Sequence, residues 1–91
     1  MNFIIECDDE NQHTQVLEKL EREGYRWSYG GVPTNFVPLS KNKGGNILIT
    51  HPSMFISYAI YLELVKEKYK NSHKVVTGSE YLGHLGRKAI L

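Results

Sequence analysis

This 91-residue chain has little of several features that would narrow its class. Its one cysteine, Cys7, excludes an internal disulfide, and we interpret it as a small apolar residue at the end of a strand rather than a reactive thiol. No apolar run reaches the roughly 18 residues that a bilayer-spanning helix needs, and the first residues lack the basic segment of a signal peptide. We therefore expect one cytoplasmic domain over residues 1–91, with no membrane partner.

An excess of charge of one sign is also lacking, since 11 basic and 10 acidic residues leave a net charge of +1. A general nucleic-acid-binding domain carries a much larger basic excess. The later segments of the chain still carry several basic residues, namely Lys66, Lys68, Lys70, Lys74, Arg87 and Lys88. An apolar content of 41% and a charged content of 23% are those of an ordinary folded domain and argue against disorder.

Metal-ligand spacings and recognised nucleophile motifs are missing as well. The histidines form no i, i+4 pair and no cysteine-rich set accompanies them, so we predict no metal site. Two nucleophile pairs are conceivable, Cys7 with His13 and Ser53 with His51, but neither lies in a known catalytic motif. We therefore predict no catalytic residue, no cofactor and no enzymatic activity.

The patterns that are present begin with a strand and a helix. A short β-branched and aromatic run predicts a strand over residues 2–7. Asp9 lies three residues before Gln12, which is the spacing of a capping box, and the helix is predicted from Gln12 to Glu23. Gly24 ends this helix because glycine readily adopts the left-handed conformation that closes a helix. An apolar stripe at helical spacing supports the assignment: His13, Val16, Leu17 and Leu20.

An alternating segment follows the helix: Tyr25, Arg26, Trp27, Ser28 and Tyr29. Aromatic residues at every second position predict a second, half-buried strand. Aromatic residues interleaved with a basic one are also typical of an exposed nucleic-acid-binding face. Because a domain of this size has few large core residues, we favour burial of the three aromatic side chains, with Arg26 and Ser28 facing solvent.

The second half of the chain predicts a mixture of strands and helices. Residues 54–62 also fit a strand, but the strong helix propensity of residues 62–70 favours one helix. Its first half is apolar on nearly all sides, so we expect it to be buried or to form an interface. The predicted elements are a loop over 30–45, a strand over 46–50, a helix over 53–71, a strand over 74–77 and a helical turn over 80–82.

These elements predict an α+β fold. We expect a small β-α-β-β-α-β(-α) single domain, with a mostly antiparallel sheet packed on two helices. The segment over residues 41–45 is basic and glycine-rich, as phosphate-binding loops are, but a strand follows it instead of a helix. A hairpin turn is therefore the favoured interpretation of this segment.

The turn and strand after the first helix resemble a Gly-Tyr-x-Trp-x-x-Gly unit found in a loose group of small bacteriophage and prophage proteins, mainly from Gram-positive hosts. The residues that carry the resemblance are Gly24, Tyr25, Arg26, Trp27, Ser28, Tyr29 and Gly30. The other shared pieces are a leading strand at 3–5, an amphipathic helix around 16–20, and a late strand and short helix at 75–77 and 80–82. The resemblance implies an accessory protein of the type that antagonises host machinery, including CRISPR and other defence systems. Gly24, Tyr25 and Trp27 match it as structural residues.

The leading hypothesis from the sequence is a non-enzymatic phage-type protein that binds and occludes a host protein in the bacterial cytoplasm. A second copy of the chain is the other expected partner. Alternatives are a small nucleic-acid-binding factor, using Arg26 and the lysines of residues 66–74, and an oligomer that sequesters a nucleotide or small ligand. The candidate binding residues are Arg26, Asn35, Phe36, Lys41 and Lys43 around the loop, or Phe55, Tyr58 and Tyr61 on the predicted helix.

Overall fold

A computed structural model describes residues 2–36 and 46–83 of the chain. These residues form one five-stranded sheet with helices on both faces. The strands are β1 (Asn2–Glu6), β2 (Arg26–Trp27), β3 (Ile47–His51), β4 (Phe55–Ala59) and β5 (His73–Thr77). The helices are α1 (Glu10–Arg22), α2 (Leu62–Lys68) and α3 (residues 78–83), with short 3-10 turns at Pro33–Asn35 and Pro52–Met54.

The strand order across the sheet is β2-β4-β3-β1-β5. The two central pairings, β1 with β3 and β3 with β4, are antiparallel, whereas the two outer pairings, β1 with β5 and β2 with β4, are parallel. The predicted α+β class is confirmed, with one strand more than expected.

The two crossover connections place helices on opposite faces of the sheet. The β1-α1-β2 connection runs towards one edge of the sheet and the β4-α2-β5 connection towards the other. Because such crossovers are nearly always right-handed, opposite directions require opposite faces. The α1 face buries Ile5, Cys7, Val16, Leu17, Leu20, Trp27, Leu48, Ile56 and Tyr81. The α2 face buries Ile4, Ile47, Ile49 and Val65.

Helix α1 follows from local signals in the sequence. The Asp9 side chain accepts a hydrogen bond of 2.8 Å from the Gln12 N–H, so Asp9 is the N-cap as predicted. The Gln12 side chain in turn accepts from the Asp8 N–H at 2.8 Å. At the other end, Gly24 has a φ of +98°, which explains why the helix ends there. All four residues of the predicted apolar stripe are buried.

The helix predicted over 53–71 is wrong in its first half, which is strand β4. Ser53 and Met54, with φ values of 68° and 66°, turn the chain back along β3. Pairing with β3 then outweighs local helix propensity, because residues 54–62 are apolar enough for either structure. Helix α2 is correspondingly short, from Leu62 to Lys68.

The predicted burial of three alternating aromatic residues holds for two of them. Trp27 is buried and Tyr25 packs against the α1 core, but Tyr29 is 72% exposed. The strand ends after Trp27 because the Gly30 N–H donates to the Trp27 carbonyl at 2.7 Å and closes a tight turn. Gly30 has a φ of +96°, so the turn uses the conformational freedom of glycine.

Helix α3 is held against α1 by a small polar network. The Thr77 hydroxyl accepts from the Glu80 N–H at 2.9 Å, and the Glu80 carboxylate accepts from the Thr77 N–H at 2.8 Å, which is a capping box. The Lys19 ammonium donates to the Tyr81 carbonyl at 2.9 Å, and the Tyr81 hydroxyl donates to Glu23 at 2.6 Å. Burial and the Glu23 carboxylate together raise the pKa of Tyr81.

The strained β3–β4 turn gives a testable stability effect. Left-handed backbone costs an ordinary residue about 1 kcal/mol, so Ser53→Gly is expected to raise the free energy of unfolding by about 0.5–1 kcal/mol. Gly30→Ala is the reciprocal control: the space around Gly30 is open, so strain of its backbone alone should lower stability by about 1 kcal/mol. Urea denaturation followed by circular dichroism measures both, and shifts of the same sign would contradict the explanation.

Candidate functional site

The residues predicted to share one helical face do not share a face. Phe55 and Tyr58 lie on β4, and Tyr61 occupies the N-cap position of α2. Because side chains alternate along a strand, Phe55 lies on the α2 face and Tyr58 on the α1 face, with the buried Ile56. The structure therefore divides the candidate residues between the two sides of the sheet.

One candidate residue of the loop, Phe36, and one of the predicted helix, Tyr58, come together on the α1 face. The ring centroids of Phe36 and Tyr58 lie 5.7 Å apart, and that of Trp27 lies 5.7 Å from Phe36 and 6.1 Å from Tyr58. The Trp27 indole Nε1 donates to the Pro33 carbonyl at 3.1 Å, which anchors the loop that carries Phe36. We call Trp27, Phe36 and Tyr58 the aromatic edge. Asn35 is exposed beside it.

Lys41 and Lys43, the remaining candidates around the loop, lie outside the described residues. Arg26 pairs with Phe55 in the parallel β2–β4 register. Its guanidinium Nη1 donates to the Tyr25 carbonyl at 2.7 Å, and the side chain is half-buried rather than fully solvent-facing as predicted.

The β4 strand has a partly unpaired outer edge. β2 pairs only with Phe55 and Ile56, so within the described ranges residues 57–59 have no strand partner on that side. Large apolar side chains are exposed along and after this edge: Tyr58 (40%), Ile60 (42%), Tyr61 (67%) and Leu64 (69%). Residues 54–62 contain no charged side chain. An apolar, half-open edge of this kind is a surface for pairing with another polypeptide.

The α2 face carries a second group of side chains at one end of the sheet. His51, Ser57, Tyr69, Ser72 and His73 lie together there, and we call them the histidine cluster. Their ring centroids are separated by 5.8 Å between the two histidines, 5.6 Å between His51 and Tyr69, and 4.5 Å between Tyr69 and His73. The exposed Phe55 is the register partner of His51 and extends the cluster towards Arg26.

Hydrogen bonds orient both imidazoles. His73 Nε2 lies 2.7 Å from the Thr50 carbonyl, which can only accept, so the Nε2 of His73 carries a proton. Its Nδ1 lies 2.7 Å from the Ser72 hydroxyl, and His51 Nε2 lies 2.7 Å from the Ser57 hydroxyl. Burial lowers the pKa of His51, and the neighbouring positive charges of His73 and Lys68 lower it further.

The His51–Ser57 pair was missed by sequence reasoning, which had paired His51 with Ser53. A hydroxyl next to an imidazole is the geometry of a nucleophile and its base. Such a pair usually needs a third group that orients the imidazole, and among the described residues no carboxylate bonds to His51. Within the same part of the chain, no group of three or more His, Cys, Asp or Glu residues could hold a metal ion.

Cys7 lies directly after β1 and is buried, as expected of a small apolar residue there. Burial first, and then the negative charges of Asp8, Asp9 and Glu6, raise the pKa of its thiol to about 12. A thiol of that pKa is protonated at neutral pH and is a poor nucleophile.

Comparison with protein-family models, with curated proteins and with solved structures finds no match to this chain. The resemblance to small phage proteins therefore rests on the residues of the Gly24–Gly30 segment and stays a prediction. Among the described residues no helix is long and apolar enough to cross a membrane.

Proposed function

We propose that this chain is a non-enzymatic binding protein that captures a partner protein at the outer edge of β4. In this proposal an extended segment of the partner pairs with residues 57–59, and its side chains pack on Tyr58 and Tyr61. The single observation that carries the proposal is that, among the described residues, the β4 edge is only partly paired and is flanked by exposed apolar side chains. Pairing of this kind supplies main-chain hydrogen bonds for affinity and side-chain pockets for specificity.

Charge favours a protein over a nucleic acid at this edge. Binding to a phosphate backbone depends on lysine and arginine side chains. Residues 54–62 contain none, whereas tyrosine and other large apolar side chains are the residues that dominate the centres of protein interfaces.

The short length of the unpaired β4 edge favours a different protein over a second copy of this chain as the partner. In a two-fold pair both chains would offer the same three unpaired residues, which make a ladder of only about 10 Å. A partner segment is not limited in this way and can continue onto the exposed Tyr61 and Leu64. Together with the resemblance to phage proteins, this preference supports a stoichiometric antagonist of a bacterial host protein, such as one of the host's defence machinery.

Site-specific photo-cross-linking tests the proposal. A photoreactive amino acid replaces Tyr61, or in a control Val75 on the opposite sheet edge, in the chain expressed in a Gram-positive host. We expect a one-to-one adduct with one host protein from position 61 and none from position 75. Tyr58→Glu should reduce the yield of the adduct from position 61 about tenfold, because burying an unpaired carboxylate in an apolar interface is unfavourable. Val75→Glu should leave this yield unchanged.

Three results would contradict the proposal. A nuclease-sensitive adduct would assign the edge to nucleic acid, and an adduct of twice the chain mass would assign it to self-association. The third is the absence of any adduct from position 61 in cells where the folded chain accumulates.

A further inference from the structure

The histidine cluster lies on the sheet face opposite the aromatic edge, so the proposed partner does not account for it. Its side chains come from four separate parts of the fold: His51 from β3, Ser57 from β4, Tyr69 and Ser72 from the turn after α2, and His73 from β5. Residues so distant in sequence meet here because β3 and β5 flank β1 and α2 ends above them.

The cluster presents hydrogen-bond donors and positive charge. The Nδ1 of His51 has no hydrogen bond to the described residues, while its Nε2 contacts Ser57. A protonated His51 donates from both ring nitrogens, and the hydroxyls of Ser57 and Ser72 can each rotate to donate. Lys68 lies close enough to lower the pKa of His51, and its ammonium lies 5.4 Å from the centre of the Tyr69 ring.

No negative charge offsets these groups among the described residues. The charged groups that act on His51 are His73 and Lys68, both of which are positive or become so. The acidic side chains nearest in sequence, Glu63 and Glu67, pair instead with Lys66 and Lys70, at 3.6 Å and 3.1 Å. Two imidazoles whose ring centres are 5.8 Å apart repel each other when both are protonated, and an anion lying against both would remove that repulsion.

We propose that the histidine cluster binds a phosphoryl group, through the Nδ1 of His51, the hydroxyls of Ser57 and Ser72, and the ammonium of Lys68, with His73 orienting the Ser72 hydroxyl. A phosphoryl dianion has three acceptor oxygens and fits a site with several donors around one rim. Both ring nitrogens of His73 are already hydrogen-bonded, Nε2 to the Thr50 carbonyl and Nδ1 to the Ser72 hydroxyl, so His73 acts on the ligand through Ser72.

The phosphoryl group has two possible sources, and the neighbourhood of the cluster bears on both. Phe55 is 41% exposed, is the register partner of His51 and has Arg26 on its other side. An exposed aromatic ring beside a phosphate site provides a stacking surface for a base. A mononucleotide would use both parts of this surface, whereas free phosphate would use the cluster alone.

Imidazole titration by NMR, with and without inorganic phosphate or a nucleoside monophosphate, tests the site in the full chain. Phosphate is expected to raise the pKa of His51 by about one unit, and the buried His13 should not respond. Because the bound form favours a protonated His51, affinity should fall several-fold between pH 6.5 and pH 8.

Substitutions separate the contributions of the individual groups. We expect His51→Gln and His73→Gln each to weaken phosphate binding about tenfold. Lys68→Gln should weaken it several-fold, whereas Lys70→Gln, which removes an equal charge from an ion pair with Glu67, should not. If the mononucleotide binds more tightly than inorganic phosphate, and Phe55→Leu removes this difference, the ligand is a nucleotide. Equal affinities of the mononucleotide and inorganic phosphate support a phosphoryl site without base stacking.

The site would be overturned by any of three results. The first is an imidazole titration that saturating phosphate leaves unchanged. The second is equal phosphate affinity in the wild type and in the folded Lys68→Gln and His73→Gln variants. The third is an oligonucleotide without a terminal phosphate that binds as tightly as the nucleoside monophosphate. All of them are independent of the cross-linking experiment at the β4 edge.

Discussion

Replacement of Trp27 by alanine is expected to lower the free energy of unfolding by about 3–5 kcal/mol. The indole is 3% exposed, it donates a hydrogen bond to the Pro33 carbonyl, and its ring contacts both Phe36 and Tyr58. The substitution therefore leaves a cavity in the α1 core and removes the anchor of the loop. Small domains have a total stability of about 5–15 kcal/mol, so this loss is a large share of what holds the domain folded.

Urea denaturation followed by far-ultraviolet circular dichroism measures this loss without relying on the indole fluorescence that the substitution removes. Tyr29→Ala is the matched control, because Tyr29 belongs to the same aromatic segment but is 72% exposed. It should change stability by less than about 0.5 kcal/mol. Equal losses in the two variants would show that Trp27 has no special role in the core.

The contrast between Trp27 and Tyr29 shows where sequence patterns stop being sufficient. Alternation predicted the same burial for both, and it is correct only while the chain remains in the sheet. The turn closed by the Gly30 N–H and the Trp27 carbonyl removes Tyr29 from the strand. Gly30 was visible in the sequence. The position at which the chain leaves the sheet, however, depends on the pairing of β2 with β4, which lies about 29 residues further along the chain.

Helix α1 was predictable because all of its determinants are local. The cap at Asp9, the apolar stripe and the left-handed Gly24 lie within one short stretch and agree with each other. Strand β4 had no such agreement. Its apolar residues fit a helix or a strand, and the turn before it uses Ser53 and Met54 in a conformation usually reserved for glycine or asparagine.

The candidate sites were predictable only as separate residues. Phe55, Tyr58 and Tyr61 were identified as aromatic residues of a predicted helix, but the division of Phe55 and Tyr58 between two faces follows from β4 being a strand. The histidine cluster had no signal at all, because His51 and His73 are brought together by the order of the strands. The His51–Ser57 contact would have followed from alternation along a β3–β4 hairpin, had that hairpin been recognised.

The second large effect concerns stability in acid and depends on His13. This α1 side chain is fully buried, and neither ring nitrogen has a hydrogen-bond partner in the part of the chain that the structure describes. Burial lowers the pKa of His13 from 6.5 to about 4 in the folded protein. Between pH 6.5 and pH 4 the unfolded chain therefore takes up a proton that the folded chain does not, so stability is complete above this range and falls by about 3 kcal/mol across it.

His13→Leu is expected to remove this acid-dependent loss and, because it also removes an unpaired polar group from the core, to raise stability at pH 7 by about 1–2 kcal/mol. The measurement is the free energy of unfolding in urea at several pH values from 7 to 4. The carboxylate of Glu21 also has a lowered pKa, because Thr34 donates to it, but its contribution begins to be lost only as the pH approaches the ordinary value of 4.5, so it overlaps only the acid end of the histidine window. His73→Gln is the control, since His73 is half-buried and hydrogen-bonded, and the acid-dependent loss should persist in it. An unchanged slope between pH 6.5 and pH 4 in His13→Leu would contradict the assignment of this loss to the buried imidazole.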